Sequence, residues 1–128
     1  MTIELDHMIL AVNDRAKSVD FYGTILRFPH ELDDGPFSVL RVTPGFTLLI
    51  AQWGTGGGTH LAFSMTKAEF DDTFQRVRDA ALPYGDRYDL VGNMKGPGDE
   101  RGARGDGKSV YFFDPDKHLL EIRHYDAK

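Results

Sequence analysis

The chain has 128 residues, 41% hydrophobic and 27% charged, with no cysteine, so it is the size of one domain and excludes disulfides, thiolate zinc sites and a cysteine nucleophile. Fifteen Lys/Arg against twenty Asp/Glu leave a net charge of −5, which argues against nucleic acid as the main partner. Apolar runs are too short to span a membrane, and Asp6 and His7 interrupt the first one with no basic leader ahead of it, so a cytoplasmic protein without a signal peptide is expected.

The pattern opens with a strand over 3–12, in which Ile3, Leu5, His7, Ile9 and Ala11 alternate onto one face. Asn13 or Asp14 can cap the helix that follows, where Val19, Tyr22 and Leu26 recur at helical spacing until Phe28-Pro29 stops it. Two strands are expected near 37–42 and 46–52, turned by Pro44-Gly45. After the glycine-rich stretch 54–58 the same order returns. A strand spans 59–64, and Thr66-Lys67-Ala68-Glu69 forms a capping box. Phe70, Phe74, Val77 and Ala81 then make one helical stripe, ended by Leu82-Pro83. A weaker strand is expected near 87–91, and then a glycine-rich loop. A hairpin of 108–113 and 118–125 closes the chain around Asp114-Pro115-Asp116.

Residues 102–109 match the P-loop pattern G-x-x-x-x-G-K-[ST], but β-formers follow Ser109 where a P-loop opens a helix, so a nucleotide site is not expected. The segment reads as a mobile surface loop, or as a lid or anion clamp whose arginines pair with a ligand. The expected fold is α+β: paired βαβββ modules, 1–53 and 59–128, forming a cupped mixed sheet with helices on the outer face and a concave face left to bind something.

Three residues stand out. His7 and His60 occupy the same place in the first strand of each half, and Glu121 lies in the last strand of the second. Neutral imidazoles and one carboxylate are standard ligands for a divalent metal and leave coordination positions open. A lone histidine in a strand is more often structural, and a glutamate in a terminal strand more often faces solvent. The repeat symmetry favours the metal reading, and Ala62 and Ser64 on the face of His60 leave room for an ion and its ligand. His30, His118 and His124 read as surface or packing residues, and Trp53 and Phe46 as core in preference to lining a pocket or the module interface.

The segments 5–12, 18–22, 59–64 and 110–122 resemble the vicinal oxygen chelate superfamily, which includes glyoxalase I, extradiol dioxygenases, fosfomycin-resistance enzymes and bleomycin-binding proteins. The resemblance implies a cup around a metal at His7, His60 and Glu121, a homodimer and a small-molecule substrate. It departs from glyoxalase I in lacking a carboxylate in 46–52, and from fosfomycin-type enzymes in having Ile9 where they carry threonine. It makes Tyr111 a candidate substrate contact and the best titratable catalytic group beside Glu121, with Lys95, Arg101, Arg104 and Lys108 as basic candidates for the substrate. The expected function is a divalent-metal enzyme using Zn, Mn, Ni, Co or Fe: a glyoxalase-like lyase or isomerase first, then a dioxygenase or thiol transferase. The alternative is a metal-free drug-binding protein of the bleomycin-resistance type.

Overall fold

The computed structural model describes residues 2–126. The chain divides into two compact units, one ending at Gly56 and the other beginning at Gly57. Among the described residues no helix is long and apolar enough to cross a membrane.

The first unit runs β1 (His7–Ala11), α1 (Arg15–Ile25), β2 (His30–Asp34), β3 (Phe37–Thr43) and β4 (Phe46–Ala51). Its sheet has the order β1-β4-β3-β2, with β1 parallel to β4 and the other pairs antiparallel. Asp14 is the N-cap of α1 and accepts from the Lys17 amide at 3.0 Å. The buried stripe of α1 is Ser18, Tyr22 and Ile25, one step round from the expected Val19. It lies against β3 and β4, over Leu10, Leu40, Leu48 and Ile50. Full burial of each such side chain contributes about 1.5–3 kcal/mol. Strand alternation sends His7 and Ile9 to the opposite, open face.

One expectation for this unit needs correction, and one element is unforeseen. Trp53 is not core: it is 59% exposed and rests edge-on against Phe37 at 5.6 Å. Residues 30–34 form a fully exposed edge strand that no apolar alternation announces.

That edge is tied down by charge. Asp33 Oδ1 accepts from the Ser38 hydroxyl at 2.7 Å, pairs with His30 Nε2 at 2.8 Å and lies 3.0 Å from Arg15 Nη2. The Ser38 hydrogen bond, followed by those of His30 and Arg15, lowers the Asp33 carboxyl from its usual 3.8 to about 2. Because the folded value lies below the unfolded one, this stabilisation is complete above pH 3.8 and is lost as pH falls toward 2. An Asp33→Asn variant should therefore show a flatter acid-unfolding profile than the parent between those two pH values, read by circular dichroism.

The second unit runs β5 (His60–Ser64), α2 (Lys67–Asp79), β6 (Tyr84–Gly85), β7 (Gly98–Gly102), β8 (Gly105–Phe113) and β9 (Leu119–Tyr125). Its sheet has the order β5-β9-β8-β6, with β7 also paired to β8. As in the first unit, the first strand is parallel to the last. The capping box forms: the Glu69 amide donates to Thr66 Oγ1 at 3.2 Å and the Thr66 amide to Glu69 Oε1 at 3.1 Å. Phe70, Thr73, Phe74 and Val77 bury α2 against β9.

The strand expected near 87–91 is absent. Pairing stops at Tyr84–Gly85, because the Leu90 carbonyl folds back to within 2.1 Å of where a Cβ on Gly85 would stand. The segment matching a P-loop is not an irregular loop but part of a β-hairpin. Gly102 pairs with Gly105 across a two-residue turn, so β7 is one strand more than the βαβββ pattern.

Candidate metal centre

The two histidines are equivalent by register. His7 begins β1 and pairs with Thr47 of β4, and His60 begins β5 and pairs with Leu119 of β9. Two residues on, Ala62 pairs with Glu121, and the counterpart of Glu121 in the first unit is Leu49, opposite Ile9. At this register each unit therefore carries one histidine, and only the second carries a carboxylate.

In the first unit, His7 is half-exposed and its Nδ1 lies 2.7 Å from Asp6 Oδ2. A carboxylate on one ring nitrogen fixes the imidazole and directs the other outward, the usual support for a metal-binding histidine.

In the second unit, parity along β9 and register with β8 bring His60, Ala62, Ser64, Ser109, Tyr111, Glu121, Arg123 and Tyr125 to one face. All of these but the buried Ser109 line an open concavity of about 510 Å³, which also draws on Tyr88, Glu100, Arg101 and Arg104. On its floor, His60 Nε2 and Glu121 Oε1 are 3.2 Å apart. Two donors at metal-bond lengths near 2.1 Å sit about 3.0–3.4 Å apart, so this pair fits a shared divalent ion. Among the described residues no group of three or more His, Asp and Glu is assembled. Two of the three expected donors are together, and His7 belongs to the other unit.

Glu121 is 5% exposed and held on its second oxygen. The Ser109 hydroxyl donates to Oε2 at 3.0 Å and Arg123 Nη1 donates to it at 2.9 Å. Tyr111 stands beside them, its ring 6.2 Å from that of His60. Burial, and then the nearby carboxylates of Glu121 and Glu100, push its phenol well above the usual range. The shift favours the protonated phenol, which can donate a hydrogen bond.

The basic residues separate. Arg104 reaches Ser64 Oγ at 2.8 Å and lies over the Tyr125 ring at 4.4 Å. Burial alone would raise the Tyr125 phenol, but hydrogen bonds with Arg104 and the charges of Arg123 and Arg104 outweigh it and lower the value. Arg101 lines the same cavity and pairs with Asp106 at 3.5 Å. Lys108 and Lys95 do not line it: Lys108 is bound to Asp99, and the Lys95 amide donates to Asn93. The other histidines also lie elsewhere. His118 is buried and accepts from the Thr59 amide, His124 packs on Phe70, and His30 pairs with Asp33.

Ser109, Arg123 and Tyr125 are the residues that sequence reasoning missed. Odd-number parity with Glu121 points to Arg123 and Tyr125, whereas Ser109 needs the β8–β9 register.

No family model matches the chain. The metallothiol transferase FosB of Shouchella clausii is 28% identical over 127 residues, covering 92% of this chain and 77% of that protein. The solved structure of oxidase ChaP-H2 superposes with a TM-score of 0.81 at 29% identity, over 98% of this chain and 96% of that one. A glyoxalase/dioxygenase from Nostoc punctiforme shares the fold, with a TM-score of 0.71 at 24% identity over 97% of this chain and 92% of that one. Two α+β units that each pair their first strand in parallel with their last, together with these relatives, make the chain similar in fold and sequence to the vicinal oxygen chelate superfamily.

Proposed function

We propose that the protein is a divalent-metal-dependent enzyme acting on a small, oxygen-bearing, anionic substrate, with His7, His60 and Glu121 as its metal ligands. The observation that carries this reading is the 3.2 Å approach of His60 Nε2 to Glu121 Oε1 on the floor of a concavity rimmed by arginines. A divalent ion bound there supplies a Lewis acid that stabilises negative charge growing on a substrate oxygen. Arg101 and Arg104 would orient an anionic group on the substrate, since guanidinium forks match carboxylate and phosphonate oxygens. Tyr111, kept protonated, would donate a hydrogen bond to the substrate.

The chain offers no thiol, and Leu49 stands at the register position where a second carboxylate could act as a base. These facts favour a nucleophile that arrives as a cosubstrate. The leading reaction is therefore addition of a small thiol to a strained or carbonyl electrophile, as the name of the Shouchella relative suggests. Oxidation is a second reading, favoured by the likeness to oxidase ChaP-H2. A homodimer is part of the proposal. β1 is an edge strand of its sheet with Ile9 41% exposed, and an apolar edge favours pairing with another chain.

Elemental analysis of the purified protein, with melting before and after chelation, tests the reading. A metal bound only by the native state raises the melting point, by about 2.7 kcal/mol of stability at a hundredfold excess over Kd. Stoichiometric metal and a chelator-sensitive melt are expected; a metal-free protein indifferent to zinc, manganese and iron would overturn it. Thiol consumption with an epoxide, set against oxygen uptake with a catechol, separates the two reactions.

A further inference from the structure

Arg123 is an unusual group to find beneath this site. It follows Glu121 by two residues on β9, so both side chains reach the same face. Its side chain is 5% exposed, and its guanidinium lies against the Tyr125 ring at 4.5 Å. Nη1 donates to Glu121 Oε2 at 2.9 Å and Nη2 to the Glu100 carbonyl at 3.1 Å, while buried Nε has no partner. The β7–β8 hairpin closes on it so tightly that a Cβ on Gly102 would stand 2.4 Å from Cζ. A buried ion pair with an orphaned N–H is an expensive way to fill space, and apolar side chains of similar volume often serve as well or better.

What the pair does is visible at the carboxylate. Oε2 takes both the Ser109 hydroxyl and the Arg123 guanidinium, whereas Oε1 faces His60. We infer that Arg123 is a positioning residue: together with Ser109 it occupies Oε2, so that Glu121 offers a divalent cation Oε1 alone, and the β7–β8 hairpin holds the guanidinium in place through Glu100 and Gly102. The inference rests on the metal reading above and adds the denticity of the carboxylate and the element that enforces it.

The test compares wild type with Arg123→Met, Arg123→Lys and Ser109→Ala in the whole chain. Zinc affinity is read by chelator competition, and carboxylate binding mode by the infrared difference spectrum on zinc loading. Wild type should show the wide carboxylate splitting of one-oxygen binding. Arg123→Met should narrow it toward two-oxygen binding and lose about 10- to 100-fold in zinc affinity, as loss of outer-shell partners does. Orientation outweighs relieved repulsion here because the guanidinium charge is already spent on Oε2. Arg123→Lys, which keeps one charged donor, should recover part of both changes. A purely structural Arg123 would lower the melting point of the variants and leave the splitting unmoved. Ser109→Ala keeps the test decisive if Arg123→Met fails to fold, since it too should narrow the splitting. Wild-type affinity and splitting in the folded variants overturn the inference alone. Failure of wild type to bind zinc overturns the metal reading and this inference with it.

Discussion

Replacing His7 with alanine is expected to abolish stoichiometric metal binding and leave the protein folded. The two effects separate because of where His7 sits. It begins β1 on the open face of its sheet, half-exposed, away from the Leu10, Leu48 and Ile50 side that α1 covers. Its Asp6 contact is an exposed pair, worth about 0–1 kcal/mol. Surface changes of this kind usually stay within about 0.5 kcal/mol, so urea denaturation should give nearly the parent midpoint. The metal measurement should change wholly, because two donors do not hold a divalent ion as three do. His60→Ala should match it in metal loss, as the register equivalence of the two histidines demands. Retained stoichiometric metal in His7→Ala refutes the ligand assignment. A large fall in stability instead shows that His7 is a structural histidine.

The equivalence of the histidines was open to sequence reasoning because it rests on period and order. Alternation gives β1 and β5, the Phe70–Phe74–Val77 stripe gives α2, and Thr66 with Glu69 gives its start, all from interactions a few residues apart. Elements held only by their neighbours are silent. β2 reads His-Glu-Leu-Asp-Asp and β7 reads Gly-Asp-Glu-Arg-Gly; neither alternates, and each exists because an adjacent strand offers backbone partners. The same limit hides Arg123. A charged residue beside a glutamate in a last strand reads as solvated, and its burial depends on the Glu100 carbonyl, on Gly102 and on Tyr125. Tyr111 shows the complementary case. Its place could be carried over from the family, but its proton affinity is set by burial and by two carboxylates that only the folded sheet assembles.

The buried pair also yields the largest expected stability change. Glu121→Ala should destabilise the protein by about 3–5 kcal/mol, because it leaves the Arg123 guanidinium buried beside an orphaned Ser109 hydroxyl. That is a large share of the ~5–15 kcal/mol that holds a domain of this size together. A merely metal-binding glutamate at the surface would show nothing of the kind in the metal-free protein. The double variant Glu121→Leu with Arg123→Met should recover most of the loss, since two apolar side chains can occupy the room between Tyr125, Gly102 and Ser109 without a charge to desolvate. Urea midpoints measured in chelator isolate this effect from metal linkage. Additive losses in the double variant would mean that the two side chains do not act as a pair. Recovery of stability in the double variant would show that the fold does not require the charged pair.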